Sequence, residues 1–127
     1  MIVDTHTHLG FDEVFDEDFT EDALLASQEQ NRIDCSLVQP GTVHDLGSAQ
    51  RQHDAIADLA ARLPTRFYGI ANPNPHLPDR EYTREVLRCI EELAFVGLKI
   101  HPFAHAVNPL GRHGQAAFRL ETRPGTP

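Results

Sequence analysis

The sequence predicts an α/β fold built from repeated strand–helix units. Short apolar segments start near residues 1, 35, 67 and 95, and a helix-like segment follows each of the first three. Strands that alternate with amphipathic helices are expected to lie parallel and to be joined by right-handed crossovers. Most of the histidines follow the carboxyl ends of these strands: His6, His8, His44, His76, His101 and His105. Because β/α-barrel enzymes assemble their sites at that end, we predict a partial TIM (β/α)8 barrel consisting of its first four βα units.

The first two strands flank one helix. We predict the first strand at residues 1–6, followed by an acidic loop over residues 9–19. Thr20 can cap the first helix, because a threonine oxygen accepts a hydrogen bond from an N–H group of the first turn. The second strand is predicted at residues 35–39, where Pro40 ends it. A doubly wound sheet would carry a glycine-rich phosphate-binding turn after the first strand, and the sequence lacks one there.

The remaining elements follow the same alternation. Before Pro64 ends it, the second helix presents apolar residues at the spacing i, i+3, i+4 and i+7: Ile56, Leu59, Ala60 and Leu63. The third strand is predicted at residues 67–71, the third helix at about 79–93 and the fourth strand at 95–100.

Composition limits the partners of the chain. Its 127 residues suit one domain of ordinary size. The formal net charge of −8 disfavours an electrostatic grip on nucleic acid or on an anionic membrane. No apolar run approaches the roughly 20 residues of a membrane span, and no signal peptide precedes the first strand. We therefore expect a cytoplasmic protein with a small-molecule substrate, and we expect Cys35 and Cys89 to be buried free thiols.

The first strand carries a metal-binding pattern, Asp4-x-His6-x-His8. Because successive side chains of a strand alternate between its two faces, all three are predicted to point the same way. Two imidazoles held two residues apart on a buried strand suit zinc or another divalent metal ion. Asp4 is expected either to orient an imidazole ring or to cap the local backbone. Chance alternation on a solvated strand is the alternative, but Ile2 and Val3 indicate a buried strand.

Two segments resemble one enzyme family: Asp4-Thr5-His6-Thr7-His8-Leu9-Gly10 and Gly97-Leu98-Lys99-Ile100-His101-Pro102-Phe103. Both look like the amidohydrolase-related (amidohydrolase 2) family, the branch of metal-dependent TIM-barrel hydrolases that includes the aminocarboxymuconate-semialdehyde decarboxylases. The resemblance covers about residues 1–118 and implies a metal-dependent hydrolase or decarboxylase of the amidohydrolase superfamily. In such an enzyme His6 and His8 bind the metal, which activates water or polarises a small carboxylated or carbonyl substrate.

The last residues, 119–127, depart from the family pattern, as a truncated or frameshifted reading frame would. The family continues into a fifth strand with another metal-ligand histidine, and later into an eighth strand with an aspartate. Because neither is present and a barrel typically needs about 200 residues or more, we expect the isolated chain to be inactive or nearly so. Its open sheet edges predict a concentration-dependent homo-oligomer.

Four further residues are candidates for catalysis and substrate contact. Lys99 and His101 share one face of the fourth strand, where a buried lysine is costly unless it is paired or used. We expect both to be catalytic, in contact with an anionic substrate or a developing oxyanion. The alternatives are a carboxylated, metal-bridging Lys99 and a His101 that binds the metal or the backbone. Gln39 and Asn72 end the second and third strands and are predicted to bind substrate, although turn formation also explains an asparagine before Pro73.

Other histidines and the early phenylalanines are expected to be structural or to lie on loops. His53 is expected to be structural, and the loop residues His44, His76 and His105 are expected to be solvated. The spacing of four between three phenylalanines suggests either a short helical lid or a loop packed on the barrel rim: Phe11, Phe15 and Phe19.

Two other functions fit part of the pattern. TatD-like metal-dependent deoxyribonucleases have a similar first strand, but they should offer a metal-binding glutamate on the fourth strand, where this chain has Lys99 and His101. The acidic charge also disfavours a nucleic-acid substrate. The second alternative is a non-catalytic, truncated half-barrel that associates with another chain.

Overall fold

A computed structural model describes residues 1–121, so the end of the predicted tail, residues 122–127, lies outside the described part. In chain order the elements are β1 (Val3–Asp12), β2 (Glu17–Phe19), α1 (Glu21–Asn31), β3 (Cys35–Pro40), α2 (Leu46–Arg62), β4 (Phe67–Ala71), α3 (Asp79–Leu87), β5 (Gly97–Leu98) and α4 (Arg112–Glu121). None of the helices within residues 1–121 has the length and apolar character needed to span a membrane.

The strands form one sheet in the order β2-β1-β3-β4-β5. Four of them, β1, β3, β4 and β5, are parallel neighbours that follow one another in chain order, and β2 is antiparallel to β1. A doubly wound sheet reverses its strand order at a switch point, whereas a β/α barrel continues in one direction. The prediction of a partial barrel is therefore confirmed for the described residues.

β1 is longer than predicted, because it continues into the segment expected to form a loop. Its last three residues pair antiparallel with β2, and Asp16 adopts a left-handed φ of 53° in the connecting turn. An acidic residue tolerates this conformation. The returning chain satisfies backbone groups on the outer edge of β1, which has no parallel neighbour. The loop predicted over residues 9–19 is therefore wrong, and a β-hairpin replaces the suggested helical lid.

The helices begin close to the predicted positions. The Thr20 hydroxyl accepts a hydrogen bond from the Ala23 N–H at 3.3 Å, as expected for the cap of α1. α2 begins earlier than the apolar pattern indicates, because the Asp45 carboxylate accepts from the Ser48 N–H at 2.8 Å. α3 passes into a π-helical turn at Arg88–Glu92, so the helix predicted at 79–93 has two parts.

The last parallel strand, β5, is shorter than the range predicted at 95–100. Backbone pairing nevertheless extends one residue beyond each of its ends. The Val96 N–H donates to the Gly69 carbonyl at 2.9 Å, and the Lys99 N–H donates to the Ala71 carbonyl at 2.8 Å. The edge strand is therefore held to β4 up to the residue that carries the candidate lysine.

An apolar core lies between the sheet and the helices. Its buried members are Leu9, Leu24, Val38, Ile56, Leu59, Phe67, Ala71, Cys89 and Phe95. Both cysteines are free thiols, and Cys89 is buried as predicted, whereas Cys35 is only half-buried. The core therefore packs the parallel strands against the helical layer, as in a barrel wall.

A buried polar cluster also links α2 to α3. The Glu85 carboxylate accepts hydrogen bonds from His53 Nδ1 at 2.8 Å, from Gln50 Nε2 at 2.9 Å and from two nitrogens of Arg88 at 2.8 and 3.0 Å. Arg88 also pairs with Asp54 at 2.6 Å. Burial alone would raise the pKa of Glu85, but the hydrogen bonds from His53, Arg88 and Gln50 outweigh it and lower the pKa to about 2. His53, expected to be structural, lies in this cluster.

Replacing Glu85 by glutamine should lower the free energy of unfolding at pH 7 by about 3 kcal/mol, because Arg88 loses its buried partner. The pKa of Glu85 is lower in the folded chain than its ordinary value of 4.5. Its stabilisation is therefore present above that value and is lost as the pH falls towards 2. Urea unfolding at pH 7, 5 and 3 should show a weaker pH dependence in Glu85→Gln than in the unsubstituted chain.

The matched control is Glu81→Gln, which changes an exposed residue one turn earlier on α3. This control should shift the free energy of unfolding by less than about 0.5 kcal/mol. An unchanged pH dependence in Glu85→Gln would contradict the role given to the buried carboxylate.

Gly69→Ala should destabilise the fold by about 1–3 kcal/mol, because a Cβ atom at this position would overlap the Phe95 ring in the core. Gly97→Ala in the neighbouring strand is the control. Its Cβ would lie 3.1 Å from the flexible end of Ile70, which can rotate away. Thermal unfolding of the two variants measures the difference, and equal losses would show that Gly69 is not required for close packing.

Candidate active site

His6 and His8 bring two ring nitrogens together on β1, with their Nε2 atoms 3.1 Å apart. His8 Nδ1 lies 3.1 Å from the Pro40 carbonyl oxygen, which can only accept a hydrogen bond. The proton of His8 is therefore assigned to Nδ1, and Nε2 keeps its lone pair. Lys99 Nζ lies 3.1 Å from His6 Nε2, and an ammonium donor assigns a lone pair to that nitrogen also. Two imidazole lone pairs thus converge, an arrangement that a bound cation stabilises.

These two nitrogens fit one divalent metal ion. Zinc–imidazole bonds are about 2.0–2.1 Å long, so two nitrogens on one ion lie at most about 4.2 Å apart. The observed separation of 3.1 Å falls within this limit. Burial, followed by the charge of Lys99, lowers the pKa of both His6 and His8. The rings are therefore held in the neutral form that metal binding requires.

Asp4 contacts the backbone of the histidine strand. Its Oδ1 accepts a hydrogen bond from the His6 N–H at 3.0 Å. The register of the β1–β3 pairing shifts between Asp4 and Thr7, as at a β-bulge or a similar irregularity. The regular pairing is therefore interrupted within the segment that carries Asp4, His6 and His8. Of the two roles expected for Asp4, its contact corresponds to support of the local backbone.

Lys99 lies far from the histidines in strand order but close to them in space. Lys99 follows β5, which lies three strands away from β1. Its Nζ nevertheless lies 3.1 Å from His6 Nε2. Side chains at the carboxyl ends of the first and last parallel strands therefore meet, as the barrel prediction requires. Burial lowers the pKa of Lys99, against an opposing effect of the Asp12 carboxylate.

His101 lies beside two phenylalanines at the same end of the sheet. Its Nδ1 accepts a hydrogen bond from the Ala104 N–H at 3.2 Å, which assigns the ring proton to Nε2. Its ring centroid is 6.2 Å from that of Phe15, and Phe15 stacks on Phe103 at 6.2 Å. We call His101, Phe15 and Phe103 the aromatic rim. Burial, then the charge of Lys99, lowers the pKa of His101.

Gln39 and Asn72 are buried at the carboxyl ends of β3 and β4, with 4% and 0% of their surface exposed. Gln39 is the register partner of His8 across the β1–β3 pair. Among residues 1–121, Gln39 Oε1 and both polar side-chain atoms of Asn72 have no hydrogen-bond partner. Because buried polar atoms are normally satisfied, these atoms hold unused hydrogen-bonding capacity at the carboxyl ends of two neighbouring strands.

Asp12 is a residue that the sequence reasoning missed. Its carboxylate accepts from the N–H groups of Val14 at 2.9 Å, Phe15 at 3.0 Å and Thr42 at 2.8 Å. Burial opposes ionisation, but the hydrogen bonds led by that from Thr42 outweigh it and lower the pKa of Asp12. The carboxylate thereby ties the β1–β2 hairpin to the loop after β3. An aspartate directly before a turn, whose carboxylate accepts from the N–H two residues on, is a local signal that could have identified it.

The loop histidines have different environments. His44 and His76 are exposed, as expected, whereas His105 is only 3% exposed, so its predicted solvation is wrong. Burial, followed by the charge of His101, lowers the pKa of His105 to about 4. Neither ring nitrogen of His105 has a partner within the described residues. His105 lies in the irregular loop after β5, where the local sequence carries no periodic signal for burial.

A second group of potential metal ligands lies in the core. Ligand atoms of His53, Glu85 and Cys89 are all within 4.8 Å of one another. Glu85 is already paired with Arg88, and burial raises the pKa of the Cys89 thiol. A thiol must lose its proton to bind a metal. The polar cluster around Glu85 therefore satisfies these groups without an ion.

Comparison with known sequences gives a partial match. No family model matches the sequence. The γ-resorcylate decarboxylase of Polaromonas sp. (strain JS666 / ATCC BAA-500) is 39% identical over 57 residues, which are 45% of this chain and 17% of that protein. The matched part therefore covers a minority of the relative.

Solved structures extend the comparison to the fold. A dihydroxybenzoic acid decarboxylase from Polaromonas sp. JS666, with bound manganese and the inhibitor 2-nitroresorcinol, has a TM-score of 0.62 at 22% identity, over 76% of this chain and 37% of that one. The 5-carboxyvanillate decarboxylase from Sphingomonas paucimobilis has a TM-score of 0.68 at 19% identity, over 94% of this chain and 48% of that one. The chain thus spans less than half the length of these proteins. It therefore has the fold of part of these two decarboxylases, which agrees with the fold that the resemblance in the sequence implies.

Proposed function

We propose that this chain carries part of the active site of a metal-dependent decarboxylase that acts on a small aromatic carboxylic acid. The supporting observation is the convergence of His6 Nε2, His8 Nε2 and Lys99 Nζ, with 3.1 Å between His6 and each of the other two. The set combines two metal-ligand atoms with one cationic group suited to a carboxylate. Hydrolysis is the alternative reaction of the superfamily, and the activity of the relatives favours decarboxylation.

The proposed cofactor is a divalent ion held by His6 and His8. Zinc suits two neutral imidazoles, and manganese is the ion bound in the Polaromonas decarboxylase structure. When bound, such an ion supplies a Lewis acid that polarises substrate oxygens or lowers the pKa of water. Two protein ligands are fewer than the three or four of a complete zinc site. We therefore propose a weak site in this chain alone.

The substrate contacts follow from charge, hydrogen-bonding capacity and aromatic surface. Lys99 offers a positive charge to a carboxylate, and Gln39 and Asn72 offer buried amide atoms to ring hydroxyl groups. Phe15 and Phe103 are 50% and 75% exposed beside His101, and such exposed rings can pack on an aromatic substrate. The aromatic rim therefore supports an aromatic rather than an aliphatic acid.

Two residues are proposed to take part in the reaction. Decarboxylation breaks the bond between the ring carbon and the carboxyl carbon, releases CO₂ and leaves an electron pair on the ring carbon. That carbon then takes a proton, and the Lys99 ammonium, whose pKa is lowered by burial, is the proposed donor. His101 presents its Nε2–H as a hydrogen-bond donor to the negative charge that develops on the substrate.

We propose that the isolated chain has little or no turnover, because the relatives are about twice its length. Within residues 1–121 no strand pairs with the outer edge of β5, so this edge is suited to pairing with another strand and a concentration-dependent homo-oligomer is proposed. The chain is proposed to act in the cytoplasm without nucleic acid or membrane partners.

The double variant His6→Ala/His8→Ala should lose the bound divalent ion, because both proposed ligand atoms are removed. Manganese and zinc are quantified by elemental analysis after gel filtration of the loaded protein. His44→Ala, which removes an exposed loop histidine, is the control and should keep the metal. The lowered pKa values of His6 and His8 predict that binding persists to a pH below their ordinary 6.5 and is lost on further acidification. Unchanged metal content in the double variant would refute the assignment.

The metal-loaded chain should decarboxylate 2,6-dihydroxybenzoate, the ligand of a related decarboxylase structure, at a trace rate or not at all. CO₂ release measures this reaction, and parallel assays use ester, lactone, amide and single-stranded DNA substrates. Any trace activity should fall at least about tenfold in Lys99→Met, which keeps the bulk but removes the charge. Robust turnover that His6→Ala abolishes would show that the site is complete, and robust DNA cleavage would favour the deoxyribonuclease alternative.

A further inference from the structure

We propose that His53 is a positioning residue, which holds Asn72 at the carboxyl end of β4 through one hydrogen bond and is itself held by Glu85. The inference goes beyond the metal site, and its functional meaning rests on the proposed function, in which Asn72 binds substrate. His53 belongs to α2 and is fully buried. It therefore acts from the helical layer on a residue of the sheet edge.

The two ring nitrogens of His53 have different partners. Nδ1 lies 2.8 Å from Glu85 Oε1, and Nε2 lies 3.1 Å from the backbone nitrogen of Asn72. A carboxylate only accepts and a backbone N–H only donates. A single tautomer, with its proton on Nδ1 and its lone pair on Nε2, satisfies both contacts. The other tautomer would place two donors against each other at Asn72.

The His53 ring has little freedom to leave this position. Glu85 is anchored by Gln50 and by two nitrogens of Arg88. The Phe95 ring packs on His53 edge-on, with 5.7 Å between the centroids and an angle of 86° between the planes. The ring is thus fixed by hydrogen bonds at both nitrogens and by packing on its side.

Asn72 lies where regular pairing of the sheet ends. The last backbone hydrogen bond between β4 and the segment after β5 runs from the Lys99 N–H to the Ala71 carbonyl. The next N–H, that of Asn72, donates to His53, and the residue that follows is Pro73, which has no N–H group. Both polar atoms of the Asn72 side chain lack a partner within residues 1–121. His53 therefore fixes the backbone of Asn72, and the side-chain amide group is buried with its hydrogen-bonding capacity unused.

Two substitutions separate this role from general stabilisation. Glutamine at position 53 can place its oxygen near the site of Nε2 and keep the acceptor for Asn72. Asparagine at position 53 can place its NH₂ group near the site of Nδ1 and keep the donor to Glu85. A purely structural His53 predicts similar effects of His53→Gln and His53→Asn at Asn72, whereas a positioning His53 predicts that only His53→Asn releases it.

The first measurement is hydrogen exchange of the Asn72 amide by NMR, which needs no ligand. We expect exchange at Asn72 to rise at least about tenfold in His53→Asn, after normalisation to amides in the centre of β3, and to stay within about threefold of the unsubstituted chain in His53→Gln. In the unsubstituted chain, nitrogen shifts should show His53 protonated at Nδ1. Protonation at Nε2 alone, or equal exchange in the two variants, would overturn the inference. The tautomer measurement decides the question if a variant fails to fold.

The second measurement links the inference to binding. Affinity of the manganese-loaded chain for 2,6-dihydroxybenzoate should fall at least about fivefold in His53→Asn and in Asn72→Ala, with no further loss in the double variant. His53→Gln should stay within about twofold. Independent losses in the double variant would overturn the positioning role. If the unsubstituted chain does not bind this probe, the proposed function fails on this substrate, and hydrogen exchange alone decides whether His53 positions Asn72.

Discussion

The arrangement of helices and sheet depends on the hydrogen bonds that the buried Glu85 carboxylate accepts. An ionised group in the core is costly unless its charge and lone pairs are satisfied, and here Gln50, His53 and Arg88 supply the donors. These partners come from α2 and from the π-helical turn that continues α3, and His53 extends the connection to the end of β4. One anion therefore fixes two helices against the sheet in a single relative position. Apolar packing alone tolerates small translations of a helix along the sheet, whereas directional hydrogen bonds do not.

Curvature of the sheet converts distant sequence positions into a local site. His6 and Lys99 are 93 positions apart in the sequence, and β3 and β4 lie between β1 and β5 in the sheet. Their side chains are nevertheless in contact. Each parallel strand contributes its carboxyl end to the same edge, so polar residues accumulate there while the apolar ones face the helices. The chemistry at this edge is a consequence of strand order and twist.

The sequence predicted the elements whose patterns are local. Residues 67–71 form β4 as expected, because an apolar run bounded by turn residues is sufficient to identify a buried strand. The hairpin after β1 was not predicted, since its pairing depends on an edge that exists only in the assembled sheet. The same limit applies within the site. The metal-ligand pattern of His6 and His8 is visible in the sequence, whereas the burial of His105 depends on the course of an irregular loop.

The short strand β2 has a consequence for any strand that extends the sheet beyond β1. β2 pairs with the last three residues of β1, and no strand of the described part of the chain pairs with the outer edge of the preceding residues. An incoming strand can therefore occupy only the amino-terminal part of that edge and must stop where the hairpin begins. The hairpin thus limits the possible registers between β1 and a strand that pairs with its outer edge. A three-residue strand therefore restricts how the barrel can be closed, whatever the side chains of the incoming strand are.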